Sequence, residues 1–190
     1  MARIPYFDMA EAPVELRAQL DGRPPLNIYR MVAHGGATAQ GFLALGSSIL
    51  RRSSLPVTLR ELVILRVGAL CGSSYEVTQH RRVAAQAGVP PVQVEAVLEH
   101  PQGSVAREPF GGIECRVLDF TDAVVRQVKA PREMFDALAA ELPHQQLVEI
   151  VMTIGYYMLV CRVLENFEVD LEGGDVLTGH APWTEILRQN

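Results

Sequence analysis

Three side chains between positions 61 and 80 are of the types that move protons: Glu61, Glu76 and His80. Glu76 and His80 are four apart, and on a helix that spacing puts a carboxylate and an imidazole on one face within hydrogen-bond reach. Histidine with its ordinary pKa can give or take a proton near neutral pH, and a neighbouring acid fixes its tautomer and orientation. Glu61 lies in the first turn of the preceding helix, which is almost wholly apolar beyond it. If the two helices form an antiparallel hairpin across Gly72, Glu61 and His80 can meet, although spacing alone does not require it. Each residue also has a purely structural reading. Ser73-x-x-Glu76 and Thr58-x-x-Glu61 both fit the capping box, and Glu61 suits the positive end of a helix. His80 could simply be a partly buried histidine bonded to Glu76. Arg81 and Arg82 read as a solvated face or as anion steering, and Tyr75 as a packing aromatic with a usable hydroxyl.

The elements that must position these groups read as helices throughout, because no segment shows sustained alternation at period two. A proline-rich arm over 1–25 reads as irregular. Short helices are expected near 26–33 and 38–51. Pro56 and Thr58 announce the run LRELVILRVGALC, apolar on nearly every face and therefore a central helix. Gly72 suits a left-handed cap, and Ser73 the N-cap of a helix over 74–87. A short amphipathic helix to about position 99 precedes a proline- and glycine-rich loop over 100–112, read as a mobile cover. Helices over 113–129, 131–142 and 144–166 follow, then a tail over 173–190 with Trp183 and Leu187. The expected class is a single all-α domain over 1–190.

Composition excludes several functions. The 17 basic and 22 acidic residues give a net charge of −5 with no basic cluster, which argues against a nucleic-acid partner. No signal peptide is expected at the N-terminus, and no stretch reaches the roughly 18 apolar residues that span a bilayer. Cys71, Cys115 and Cys161 are widely spaced without a CxxC, so they read as small core residues in a reducing, cytoplasmic setting. With 48% hydrophobic residues the chain is apolar for a soluble monomer, and the surplus is expected to cover an interface in a homo-oligomer.

The order Glu61, SSYE over Ser73 to Glu76, then His80, preceded by ELVILRVGALCGS, resembles the carboxymuconolactone decarboxylase family, which shares its fold with the AhpD-like alkylhydroperoxidases. The likeness is strongest from about His34 to Leu98 and extends more weakly to Glu172. It implies an AhpD-like helical bundle over about 34–172, assembled as a trimer or hexamer. In the peroxidase branch a CxxC pair stands between the glutamate and the histidine, and here Ser73 and Glu76 occupy those positions. A serine and a carboxylate cannot attack and resolve as a dithiol does. The resemblance therefore implies the decarboxylase-type branch, with no cofactor and no metal. His80, Glu76 and Glu61 would be catalytic, and Ser73 and Tyr75 would bind a small carboxylated lactone or oxo acid. A lactone isomerase or hydrolase, an AhpD-like peroxidase acting through Cys71, and a metal- or small-molecule-binding subunit are the alternatives.

Overall fold

The computed structural model describes residues 1–100 and 103–173. Among these there are nine α-helices and no strand: α1 Val14–Leu20, α2 Asn27–Val32, α3 Ala37–Arg52, α4 Val57–Cys71, α5 Ser74–Ala87, α6 Pro91–Glu99, α7 Gly112–Gln127, α8 Arg132–Ala139 and α9 His144–Phe167. The described residues sort into two compact units, one built from 1–52 together with 162–173, the other from 53–161. The tail expected to carry Trp183 and Leu187 lies outside the described residues.

In the first unit the N-terminal arm is not irregular throughout. Pro13 holds an extended backbone ahead of α1, where its fixed φ and missing N–H cost nothing. Leu16 of that helix is buried with Ala12, Ala33, Ala39 and Leu43. Tertiary burial of one leucine face thus makes a helix where proline content suggested loop.

The second unit is organised around α4. From Leu59 to Gly68 every residue of this helix is buried, and it packs against α5, α6 and α7. Leu62 and Leu65 join Ala84, Val89, Val94, Val97 and Leu118 in the core. Such all-round burial is what the unbroken apolar run demands. Gly72 ends α4 in the left-handed region at φ +69°, a conformation open to glycine, and α5 starts two residues later. Gly68 sets how closely the two helices approach, since a Cβ there would meet Val77 Cγ2 at 3.2 Å.

The segment between α6 and α7 is tied down where it is described. Val105 and Phe110 pack on the core, Gln93 donates to the Pro109 carbonyl at 3.2 Å, and Arg66 donates to the His100 and Gly103 carbonyls at 3.0 and 2.6 Å. These contacts correct the reading of a free cover.

Helix α9, at 24 residues, is long and apolar enough to cross a membrane by length and composition, which the sequence reading did not anticipate. Half of its most apolar window is buried within the protein. Leu147, Ile150, Ile154, Tyr157 and Cys161 point inward at helical spacing. Val148, Val151, Met152 and Leu159 make an opposite stripe, each 45–58% exposed. Together with Phe135 and His144, the first three of these border an open apolar hollow.

Candidate active site

Helices α4 and α5 form the hairpin that spacing allowed, and it brings Glu61 and His80 together. The His80 Nδ1–H donates to Glu61 Oε2 at 2.7 Å, and Nε2–H lies 3.0 Å from Glu76 Oε1. One imidazole is therefore clamped between two carboxylates, with Glu61 fully buried and Glu76 and His80 nearly so. Burial by itself would push the His80 pKa down. The charges of Glu61 and Glu76, with the hydrogen bonds both acids accept, outweigh that and lift it to about 10. At neutral pH the ring is an imidazolium with both N–H groups spoken for.

The clamp overturns both capping-box readings. Pro56, not Thr58, is the N-cap of α4, and it offers no side-chain acceptor, so Glu61 has no capping serine or threonine to reciprocate. Ser73 does occupy the N-cap position of α5 with extended backbone, yet its hydroxyl makes no cap hydrogen bond. Glu76 is turned along the helix to His80 instead. Glu76 Oε1 faces the imidazole and the Ser73 hydroxyl makes no cap hydrogen bond, so the reciprocal pair that defines a capping box is missing.

Two residues that the sequence reading passed over complete the cluster. Arg60 is buried at 4% exposure, and its Nε and Nη2 both approach Glu61 Oε1 at 3.3 Å. Two carboxylates, one imidazolium and one guanidinium bring the buried charge to zero, which is how an interior tolerates so many ions. A cation at the head of an apolar run, next to Glu61 in the sequence, was the available signal. Tyr157 of α9 presses on His80 with ring centroids 5.0 Å apart and planes at 88°. Burial first, then the charges of Glu76 and Glu61, raise the Tyr157 hydroxyl well above its ordinary pKa, so it stays protonated. No spacing rule connects it to position 80.

Ser73 and Tyr75, expected to face a substrate, are buried at 1% and 3% exposure. The Ser73 Oγ is buried and has no hydrogen-bond partner among the described residues. The hollow bordered by Phe135 and Met152 includes none of the five expected site residues. Among the described residues no group of three or more histidine, cysteine, aspartate or glutamate side chains is arranged to hold a metal ion. Glu61 Oε2 and Glu76 Oε1 face the two ring nitrogens of His80, and Glu61 Oε1 faces Arg60.

Known proteins can now be set beside this geometry. Residues 36–104 match the Carboxymuconolactone decarboxylase family, a span that holds Glu61, Ser73, Tyr75, Glu76 and His80. No curated protein matches the chain. Among solved structures, the alkylhydroperoxidase AhpD core of an uncharacterized peroxidase-related protein from Ralstonia eutropha JMP134 is similar at TM-score 0.78 and 18% identity, covering 95% of this chain and 97% of its own. A peroxidase-related protein from Silicibacter sp. TM1040 is similar at TM-score 0.74 and 17% identity, with 90% and 91% covered. The debrominase Bmp8 is similar at TM-score 0.71 and 19% identity, with 88% and 91% covered. At these identities the likeness establishes the AhpD-like all-α fold. Family and fold agree with the expectation raised by the Glu, Ser-Tyr-Glu and His pattern.

Proposed function

We propose that the chain is an enzyme of the carboxymuconolactone decarboxylase kind, which removes CO2 from a small carboxylated lactone or oxo acid without a cofactor. The observation that carries this reading is the doubly clamped imidazolium of His80. Loss of CO2 breaks a carbon–carbon bond and sends its electron pair through the substrate's double bond into a carbonyl oxygen. What the protein must supply is a fixed positive charge for the enolate and one proton for carbon. His80 carries both, because its proton is retained at neutral pH. Glu61, fully buried and held by Arg60, orients the ring from Nδ1 and keeps that side charged. Glu76, at the longer bond, is the partner that shifts when the Nε2 proton moves to substrate, and it shares the charge that remains. The low-dielectric wall of Tyr157 and the α4 side chains strengthens each of these interactions.

The family match over 36–104 supports an enzyme and fits decarboxylation and other chemistry alike, so the reaction is tested directly. Purified protein is offered carboxymuconolactone and a set of β-oxo acids, and released CO2 is measured. Release that disappears in His80→Ala supports the reading. A protein that turns over none of them but isomerises or hydrolyses the lactone would place the same triad in proton shuffling instead.

Self-association is part of the proposal, supported by the exposed stripe Val148, Val151, Met152 and Leu159 on α9. Sedimentation of the native chain should give a trimer or hexamer, and a monomer at working concentration would remove it.

A further inference from the structure

Arg60 directly precedes Glu61 near the start of α4, and both side chains are buried, at 4% and 0% exposure. Glu61 divides its oxygens. Oε2 accepts from His80 Nδ1–H at 2.7 Å, while Oε1 faces Arg60 Nε and Nη2, each at 3.3 Å. A charge-assisted N–H···O bond normally closes to about 2.7–2.9 Å, so the Arg60 contacts are long, and both fall on one acceptor. They fix little geometry. What the guanidinium supplies at this depth is a full positive charge, one that no pH tolerated by a folded protein removes. We propose that Arg60 is a positioning residue that sets the proton inventory of the site: its charge stands in for a second proton on Glu61, so that Glu61, Glu76 and His80 together hold one dissociable proton at neutral pH.

A charge count over the groups around His80 gives the reason. Helix α4 contributes Glu61 with Arg60 behind it, α5 contributes Glu76, and α9 contributes Tyr157, which stays protonated and neutral. Two carboxylates, one guanidinium and one imidazolium sum to zero. A buried site stays near balance, because an unpaired ion out of water costs more than the gain or loss of a proton. Without the guanidinium, the two acids and the charged ring carry one net negative charge, which a proton from water cancels. The place left for that proton is Glu61 Oε1, since Glu61 Oε2 and Glu76 Oε1 already face the ring nitrogens. His80 would then rest on a neutral acid at Nδ1, with Glu76 alone supporting its charge. Loss of the Glu61 charge has the opposite result: Arg60 and Glu76 cancel each other, and His80 sheds its proton to water. Arg60 therefore acts on the ring through Glu61, without touching it.

This inference rests on His80 as the proton donor of the proposed reaction, but the proton count is read without turnover. A chain that releases no CO2 leaves the count standing, and a wrong count leaves the CO2 assay untouched. The experiment uses the full chain at neutral pH and records the His80 ring nitrogens by NMR and the infrared stretch of protonated carboxyl groups. Native protein should show a charged ring and no protonated carboxyl signal that disappears in Glu61→Gln. In Glu61→Gln the ring should become neutral, and adding Arg60→Met to that variant should return it to the charged form. Arg60→Met alone should gain the stretch of one protonated carboxyl, lost again in the double variant. Arg60→Lys keeps the charge and should not gain it. A residue with a merely structural role would move none of these signals. A ring that stays charged in Glu61→Gln, or stays neutral in the double variant, overturns the proposal, and so does a protonated Glu61 in native protein. These three outcomes decide the matter even if Arg60→Met alone fails to fold, because the double variant removes both buried partners together.

Discussion

Helix α4 buries two arginines, Arg60 and Arg66, and their surroundings could hardly differ more. Arg66 is fully buried, and its five N–H donors all have acceptors. Nε and Nη2 fork onto the two oxygens of Asp122 at 2.6 and 2.7 Å, Nη1 serves the Val97 and His100 carbonyls at 3.1 and 3.0 Å, and Nη2 also serves Gly103 at 2.6 Å. Arg60 offers only two contacts of 3.3 Å to a single oxygen of Glu61, whose other oxygen belongs to His80. The first arrangement is closed and has no proton to spare. The second holds two acids around one imidazolium, and a small shift of Glu76 frees a charged N–H. Buried charge that is fully satisfied fixes the chain, whereas buried charge balanced across a titratable ring can do chemistry.

The contrast can be broken most sharply at His80. Replacing it by alanine, or Glu76 by glutamine, should lower the CO2-releasing turnover by about 100- to 10,000-fold, the usual contribution of a placed proton donor. Circular dichroism of both variants should keep the native helical signal. At Arg66 the effect should fall on stability alone. Arg66→Met takes the bidentate donor from Asp122 and leaves the Val97 and His100 carbonyls without their Arg66 bonds, while Arg126 still reaches Gly103, and it should cost about 3–5 kcal/mol in urea unfolding, as the loss of one partner of a buried ion pair does. An unfolding midpoint unchanged by Arg66→Met would erase the distinction drawn here.

Smaller effects sharpen the same comparison. Gly68→Ala places a methyl 3.2 Å from Val77 Cγ2, so either Val77 yields or α5 moves away from α4. Overpacking of this kind costs about 1–3 kcal/mol. The double variant with Val77→Ala should recover most of the loss, and persistence of the full penalty would show that Val77 is not the obstacle. A pH series separates the clusters further. His80 has a folded pKa of about 10, above the unfolded value of about 6.5, so it contributes stability that is complete below pH 6.5. That contribution drains away as pH rises through 10. Unfolding free energy should therefore decline over this window in native protein and decline less in His80→Ala.

The sequence made much of this visible, and where it failed the reasons are physical. The all-round apolar run that became α4 and the Gly72 turn into α5 follow from local pattern, and their bounds agree with expectation within a residue or two. Family and fold were legible from Glu61, Ser73, Tyr75, Glu76 and His80 because their spacing spans one helical hairpin. Capping was misassigned for a specific reason: Thr58 and Ser73 have the right chemistry, but the carboxylates prefer a charged ring to a backbone amide. The helix at Val14–Leu20 was hidden by flanking prolines, which break helices in their interiors and start them at their edges. Tyr157 comes to His80 of α5 from α9, and contacts between distant segments leave no periodic trace. Arg60 and Arg66 carried an overlooked signal, cations in an apolar helix that a protein interior accepts only beside an anion.

The state of one ring decides the central claim most directly. Ring nitrogen resonances of His80, assigned by their absence in His80→Ala, can be followed by NMR as a function of pH. Both nitrogens should remain protonated through neutrality, with the charge lost only as pH approaches about 10. Titration near the ordinary value of about 6.5, with one nitrogen bare at neutral pH, would contradict the clamp and the chemistry built on it.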